Sequence, residues 1–180
     1  NALGSTADQQ LLLTMDQERI NVWNATDGSL LRSWRFDELE GAARHALFSP
    51  DGKRVIACGR TGPGVWNHPD GRGCIRAWDI ETGNLQFELT GLPNYAHAMA
   101  SIPHRDQVAV MCGRRDLDVP GQLLLIDART GLIAGTASTP SDSQCHTIRF
   151  QNGTIQAFIN RYAASRWDIR TMKPVEAHML

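Results

Sequence analysis

The segments HALFSPDGKRVIACG (residues 45–59) and IRAWDIETG (residues 75–83) decide the fold that we predict. In the first segment, two apolar stretches flank Asp51-Gly52, a pair that is typical of a β-hairpin turn. In the second, a short strand ends in Trp78-Asp79, and a polar turn that reaches Gly83 leads into another apolar strand. Together the two segments predict four successive antiparallel strands.

The pattern of residues 75–83 recurs along the whole chain. Residues 20–28, 124–131 and 165–171 repeat it, and the Asn or Asp in the four segments lie 55, 48 and 41 residues apart. A period of about 40–50 residues with four short strands per unit is the signature of a β-propeller. We therefore predict an all-β chain that forms a propeller of four-stranded antiparallel blades.

The strands of each blade are named a to d, from the central channel outward. We predict three complete blades, at about residues 44–89, 95–138 and 145–180. The first unit, at about residues 1–35, has only strands b to d. Together they make one partial propeller over residues 1–180. Since propellers typically have about 4–8 blades, we expect an incomplete ring whose remaining blades come from this chain or another. The missing strand a leads us to expect that the domain continues before Asn1.

Four motifs in the same register resemble those of the WD40 repeat family, over essentially the whole chain. They are the pairs Trp78-Asp79 and Trp167-Asp168 and the variants Trp23-Asn24 and Ile126-Asp127, and the run at residues 48–52 adds to the resemblance. The Gly-His dipeptide that usually precedes strand a in that family is absent. The resemblance implies a non-catalytic scaffold that presents one face of a propeller to a protein or peptide.

The motif residues have a structural role in this prediction. We expect Trp23, Trp78 and Trp167 to fill the space between neighbouring blades, because a large aromatic ring suits that gap. We expect Asp79, Asp127 and Asp168 to begin the c–d turns, where a side-chain oxygen accepts hydrogen bonds from backbone amides.

The b–c and d–a connections share one end of the blades, which we call the top face. The long loop at residues 61–72 and the shorter one at residues 115–120 lie there, and insertions on one face of a repeat array often mark its binding face. Strand b also ends in arginine in three units, and a histidine lies near the start of strand a in the same units. We therefore predict a site for an anion or acidic peptide, with candidates Arg60, Arg114, Arg115, Arg161, His97 and His146.

Two further candidates lie in the long loop. Trp66 and His68 are suited to an exposed contact, because aromatic side chains often anchor interfaces. The alternative for the arginines is that each pairs with a local carboxylate, such as Asp116 or Asp142, and only holds the loops together. The alternative for Trp66 is that it folds back over its blade.

No metal or cofactor is predicted. The three histidines His45, His97 and His146 lie on different blades, and His45 is one residue out of register with His146, so we do not expect them to share a ligand. The cysteines are predicted to be packing residues, with Cys58 and Cys112 in matching strand-b positions. A disulfide between Cys58 and Cys74 is geometrically conceivable because these residues flank the long loop.

Composition and charge exclude several classes of function. The chain has 18 Lys and Arg against 19 Asp and Glu, a net charge of −1, which disfavours nucleic acid and anionic membranes as partners. No apolar run approaches the length needed to cross a bilayer. No signal region follows Asn1, so the cytoplasm is slightly favoured, although the sequence does not identify a compartment.

Two other functions remain open from the sequence. The turns at residues 79–83 and 127–131 also resemble those of quinone-dependent dehydrogenase propellers, in which a Trp follows the turn. Only Trp34 meets that requirement here, so the asymmetry favours a WD40-like scaffold without a catalytic site. Alternatively, the chain is the docking or sensor domain of a larger enzyme such as a kinase.

Overall fold

Sixteen β-strands make up the secondary structure of the computed structural model. It describes residues 2–16, 18–36, 42–61, 72–92, 95–113, 121–139, 145–159 and 163–175. The strands are β1 (Ala2–Ser5), β2 (Leu11–Met15), β3 (Arg19–Asn24), β4 (Leu30–Arg35), β5 (Ala42–Phe48), β6 (Arg54–Thr61), β7 (Arg72–Asp79), β8 (Leu85–Leu92), β9 (Ala96–Ile102), β10 (Gln107–Cys112), β11 (Gln122–Asp127), β12 (Ile133–Ser138), β13 (Cys145–Gln151), β14 (Thr154–Ile159), β15 (Ala163–Asp168) and β16 (Pro174–Val175).

The strands form four antiparallel sheets of four strands each, and every sheet is a simple meander in chain order. This architecture confirms the predicted all-β propeller blades. The predicted number of strands in the first blade was wrong, however. We predicted only strands b to d there, whereas Ala2–Ser5 pairs with β2 and supplies strand a.

The blades stack face to face along an arc. The inner strands β1, β5, β9 and β13 pack on one another in that order. Three apolar clusters lie between successive sheets and bury the face that each sheet could not cover alone. Among the described residues, packing of comparable extent does not occur between the first and fourth sheets.

The Trp residues behave largely as predicted. Trp78 and Trp167 are 6% and 2% exposed and lie in the first and third of these clusters along the arc. Trp34 of the first sheet stacks on Trp78, with ring centroids 5.7 Å apart, and its indole N–H donates to the carbonyl oxygen of Gly83 at 2.9 Å. Trp23 differs because it is only partly buried, and its indole N–H donates to the Thr14 hydroxyl at 2.8 Å.

The carboxylates at the c–d turns also take their predicted role. In Asp79, Asp127 and Asp168, Oδ1 accepts hydrogen bonds from both the backbone N–H and the hydroxyl of the Thr three residues later, at 2.7–3.1 Å. These bonds favour the ionised form, so they lower the pKa of each carboxyl group. The turns therefore hold the bottom of each blade, opposite the candidate site.

The cysteines pack in the interior, but not as the sequence suggested. Cys58, Cys74 and Cys112 are free and buried. Cys74 lies opposite Gly59, one position away from Cys58, so the two side chains project from opposite faces and cannot form a disulfide. Cys58 and Cys112 share one cluster but enter it from facing sheets, so their strand-b positions do not match.

Burial makes these thiols unreactive. It raises the pKa of Cys58 well above its ordinary value and that of Cys74 and Cys112 to about 12. We expect iodoacetamide to leave all three unmodified in the native chain at neutral pH and to alkylate all three in denaturant. Peptide mass mapping tests this expectation, and rapid native alkylation of Cys58 would contradict the packing described here.

In the described part of the chain, no helix is long and apolar enough to cross a bilayer.

Candidate functional site

A β-bulge lies near the top end of every inner strand. The pairing register shifts between Ala2 and Gly4, Ala43 and His45, Ala96 and Ala98, and Cys145 and Thr147. A bulge leaves its extra residue outside the pairing and changes the direction of its side chain. The extra residues of the second, third and fourth sheets are Arg44, His97 and His146, and they lie at the same level of their strands. The bulge of the first sheet, at Leu3, lies two residues further along its strand.

This equivalence explains the irregular spacing of the histidines. His45 follows the bulge of its strand, whereas His97 and His146 occupy the bulges of theirs. The position that matches the two histidines on the second blade is therefore Arg44. Burial lowers the pKa of the His45 imidazole, which favours its neutral form and a packing role.

Arg44 and Arg60 lie close together between the second and third sheets. Arg60 ends strand b of the second sheet and is 7% exposed, and its guanidinium carbon lies 5.9 Å from the centroid of the Tyr95 ring. Arg44 is half-buried beside it. Burial, and then the charge of Arg60, lower the pKa of Arg44. We call Arg44, Arg60 and Tyr95 the arginine cluster.

Two positive charges in a partly desolvated position repel each other and attract an anion. Arginine suits that task because its planar group offers several N–H donors in a fixed geometry. The cluster therefore has the chemistry of a site for an oxyanion.

Gly59 makes the approach of strands a and b possible at this point. A Cβ atom there would lie 2.1 Å from the carbonyl oxygen of Ala42 and 2.7 Å from Cε1 of Phe36. Such distances are far inside van der Waals contact, so only glycine fits without a backbone shift. Gly59 thus sets the position of the adjacent Arg60.

His97 lies at the start of the third sheet, two residues after Tyr95. Its Nδ1 is 3.2 Å from the carbonyl oxygen of Tyr95, which also accepts the N–H of Gly113 at 3.0 Å. Because a carbonyl oxygen only accepts, Nδ1 is the donor in this contact. The imidazole thereby helps to fix the backbone beside the arginine cluster.

Only part of the predicted site lies among the described residues. Arg60 and His97 are placed at the top of neighbouring sheets, as their strands require, and His146 lies in β13 with its side chain undescribed. The other candidates fall outside the described residues; they are Trp66, His68, Arg114, Arg115 and Arg161. Sequence reasoning missed Arg44, although its alignment with His97 and His146 could have revealed it.

Arg76 is a second buried arginine, and its contacts are structural. It donates to the Glu88 carboxylate at 2.5 Å and to the carbonyl oxygen of Phe36 at 2.9 Å, and its guanidinium carbon lies 5.2 Å from the centroid of the Phe36 ring. These contacts join the first sheet to the second. Arg76 therefore differs from Arg60, which lies at the edge of the interblade gap.

Metal binding has no geometric support in the described ranges. No three His, Cys, Asp or Glu side chains come close enough there to hold an ion.

Solved structures resemble this chain closely in fold and weakly in sequence. A crystal structure of the RRP9 WD40 repeats matches 96% of the chain with a TM-score of 0.71 at 12% identity. A crystal structure of the mitotic checkpoint complex matches 92% with a TM-score of 0.71 at 16% identity, and a structure of U3-55K matches 96% with a TM-score of 0.72 at 12% identity.

The chain spans about half the length of these structures, namely 48%, 45% and 49% of the three matched chains. No protein-family model and no curated protein matches the sequence. With four meandering sheets stacked on an arc and WD-type turns at their bottom ends, the chain has the fold of a WD40 β-propeller, of which it forms four blades.

Proposed function

We propose that the chain is a non-catalytic interaction scaffold that binds an acidic peptide segment of a partner protein at its top face. The observation that carries the proposal is the arginine cluster, in which Arg44 and Arg60 lie together beside Tyr95 at the gap between two blades. The fold supports a scaffold in general, and the two guanidinium groups give it a chemical preference.

Each member of the cluster has a defined part in binding. Arg44 is half-buried and can approach a ligand at the surface, so it makes the outer contact with a carboxylate. Arg60 is mostly buried and adds positive potential from below. Tyr95 offers its ring to the aliphatic part of a Glu side chain. Charge-assisted hydrogen bonds of this kind are roughly twice as strong as neutral ones.

Peptide binding can be measured with a fluorescein-labelled deca-glutamate peptide by fluorescence anisotropy. We expect Arg44→Gln to weaken binding about tenfold, and Arg44→Gln with Arg60→Gln to weaken it further, because each change removes a cation from the site. We also expect binding to weaken as the ionic strength rises from about 0.05 M to about 0.3 M.

The matched control is Arg105→Gln. Arg105 is an exposed arginine in the turn between strands a and b of the third blade, at the bottom of the propeller. The substitution Arg105→Gln removes the same charge far from the top face. We therefore expect it to change the dissociation constant by less than about twofold. Equal losses in Arg44→Gln and Arg105→Gln would mean that net charge alone attracts the peptide, and the proposal would be wrong.

A further inference from the structure

Strand d, the outermost strand of each sheet, pairs with strand c on one side and with no other described strand on the other. This outer edge points away from the axis of the propeller, so neighbouring blades of a ring do not cover it. Such an edge presents N–H and C=O groups to which another extended segment can pair, and natural proteins usually protect it with charged residues or proline. The residues at each edge therefore decide what it can bind.

Alternate residues of strand d direct their backbone groups outward. In the third sheet the N–H of Thr139 points inward, because it donates to the carbonyl oxygen of Gly121 at 2.9 Å. By alternation along β12, the N–H and C=O groups of Thr136 and Ser138 lie on the outer edge. In the first and second sheets the same alternation places there Ser33, Arg35 and Glu88.

The edge of the third sheet differs from the other three edges in its residues. The outer edge of β4 carries Arg35, that of β8 carries Glu88, and β16 begins with Pro174, which has no backbone N–H. β12 has the sequence Ile-Ala-Gly-Thr-Ala-Ser, without a charged residue or a proline. Thr136 and Ser138 are exposed. Among the described edges, β12 is therefore the one whose residues do not oppose the addition of a strand.

Small residues line the side of β12 that faces the fourth sheet. Ala137 lies at the position that Trp34 and Leu89 fill in the first two sheets, and it is only partly buried. Met172, in the c–d turn of the fourth sheet, packs over the adjacent Gly135, where a Cβ atom would lie 2.9 Å from Cγ of Met172. An apolar side chain from outside can therefore lie over Ala137 beside the Met172 thioether.

We infer that the outer edge of β12 binds an extended, uncharged segment of a partner protein, which adds a strand to the third sheet. The segment runs antiparallel to β12, and Thr136 and Ser138 each exchange a pair of backbone hydrogen bonds with it. Its residue opposite Ala137 is apolar and faces the fourth sheet. Leu132 and Ile133, which are 69% and 47% exposed, offer a further apolar contact where β12 begins. Apolar residues at alternate positions are therefore the recognition pattern.

A second copy of this chain does not suit the edge. Antiparallel pairing of two β12 strands would place Thr136 opposite Ser138 and Ala137 opposite Ala137, so no large apolar side chain would lie over Ala137. The outer rims of two propellers are both convex, and contact along one short strand buries far less than the roughly 1,000 Å² that a specific interface needs. A flexible segment can instead follow the strand and place side chains on both sides of it.

The test uses a fluorescein-labelled peptide, Thr-Val-Thr-Val-Thr-Val, whose binding to the chain is followed by fluorescence anisotropy. With its valines facing the fourth sheet over Ala137, its threonine amides donate to β12 and its valine amides point away. We expect N-methylation of the threonine amides to weaken binding at least about tenfold, because the hydrogen bonds to β12 are lost. N-methylation of the valine amides should change the dissociation constant by less than about threefold.

A variant of the chain tests the same edge from the other side. Thr136→Pro removes an outward N–H and should weaken binding of the unmethylated peptide about tenfold. The matched control is Ser33→Pro, at the equivalent position of β4, with an expected change below about twofold. Arg44→Gln with Arg60→Gln should bind this uncharged peptide as the unaltered chain does, so the result is independent of the top-face site.

Circular dichroism melting shows whether each variant is folded, and the N-methylated peptides decide with the unaltered chain if Thr136→Pro does not fold. Equal affinities of the two N-methylated peptides would overturn the inference, as would equal losses in the two proline variants. No binding of the unmethylated peptide at up to about 1 mM would also overturn it. So would a dimer in sedimentation equilibrium that Thr136→Pro dissociates, because the occupant would then be a second copy.

Discussion

Replacing Trp167 with alanine is expected to lower the free energy of unfolding by about 3–5 kcal/mol. Trp167 is 2% exposed and lies between the third and fourth sheets, in the cluster that includes Met111, Ile148 and Ile155. Removing the indole leaves a cavity that these β-sheets cannot readily close, because both backbones are held by their ladders. Urea unfolding followed by circular dichroism measures the change.

The matched control is Trp23→Ala. Trp23 occupies the corresponding position of the first sheet, but that side of the sheet packs on no blade in the described part of the chain, and its indole is only partly buried. We expect Trp23→Ala to lower the free energy of unfolding by about 1 kcal/mol. The variant loses the hydrogen bond to Thr14 and the contacts of an indole that is only partly buried. Similar losses for the two variants would contradict the assignment of Trp167 to an interblade core.

The second large effect is expected from Gly59→Ala. The added Cβ would meet the carbonyl oxygen of Ala42 at 2.1 Å, so strands a and b of the second sheet must separate. We expect a loss of about 3 kcal/mol of stability in urea unfolding. Because Arg60 follows directly and Arg44 occupies the adjoining bulge, the variant should also weaken binding of the deca-glutamate peptide.

Gly4→Ala provides the control for this substitution. A Cβ at Gly4 meets no atom within 4 Å, so the alanine fits. We expect its stability to change by less than about 0.5 kcal/mol. If Gly59→Ala were equally harmless, the close approach of the two strands at the top of the second sheet would not exist as described.

The blades and their c–d turns could be predicted because their signals are local. A Trp or Ile before Asp, followed three residues later by Thr, specifies the hydrogen bonds that Asp79, Asp127 and Asp168 make within five residues of chain. No distant contact has to be known for such a turn. The fold therefore followed from four repetitions of one short pattern.

Strand a of the first blade was missed because its signal is altered rather than absent. In the second blade the Ser49 hydroxyl donates to Asp51 at 2.6 Å and accepts from the N–H of Arg54 at 3.0 Å. Thr6 makes the same contacts with Asp8, at 2.6 Å, and with the N–H of Leu11, at 3.1 Å. Recognising Thr6 and Asp8 as a variant Ser-Pro-Asp-Gly turn would have predicted β1.

The arginine cluster could be predicted only in part because β-bulges have no clear sequence signal. Arg60 was identified from its place at the end of a strand. Arg44 was not, because one extra residue in strand a changes which side chain lies at the top face.

The most direct test of the top-face site is a titration of the isotopically labelled chain with the deca-glutamate peptide, followed by backbone amide chemical shifts. The largest changes are predicted at residues 42–45, 59–61 and 95–97, and they should disappear in Arg44→Gln with Arg60→Gln. Changes confined to the turns at residues 79–84 and 127–132, or none at all, would contradict acidic-peptide binding at the top face.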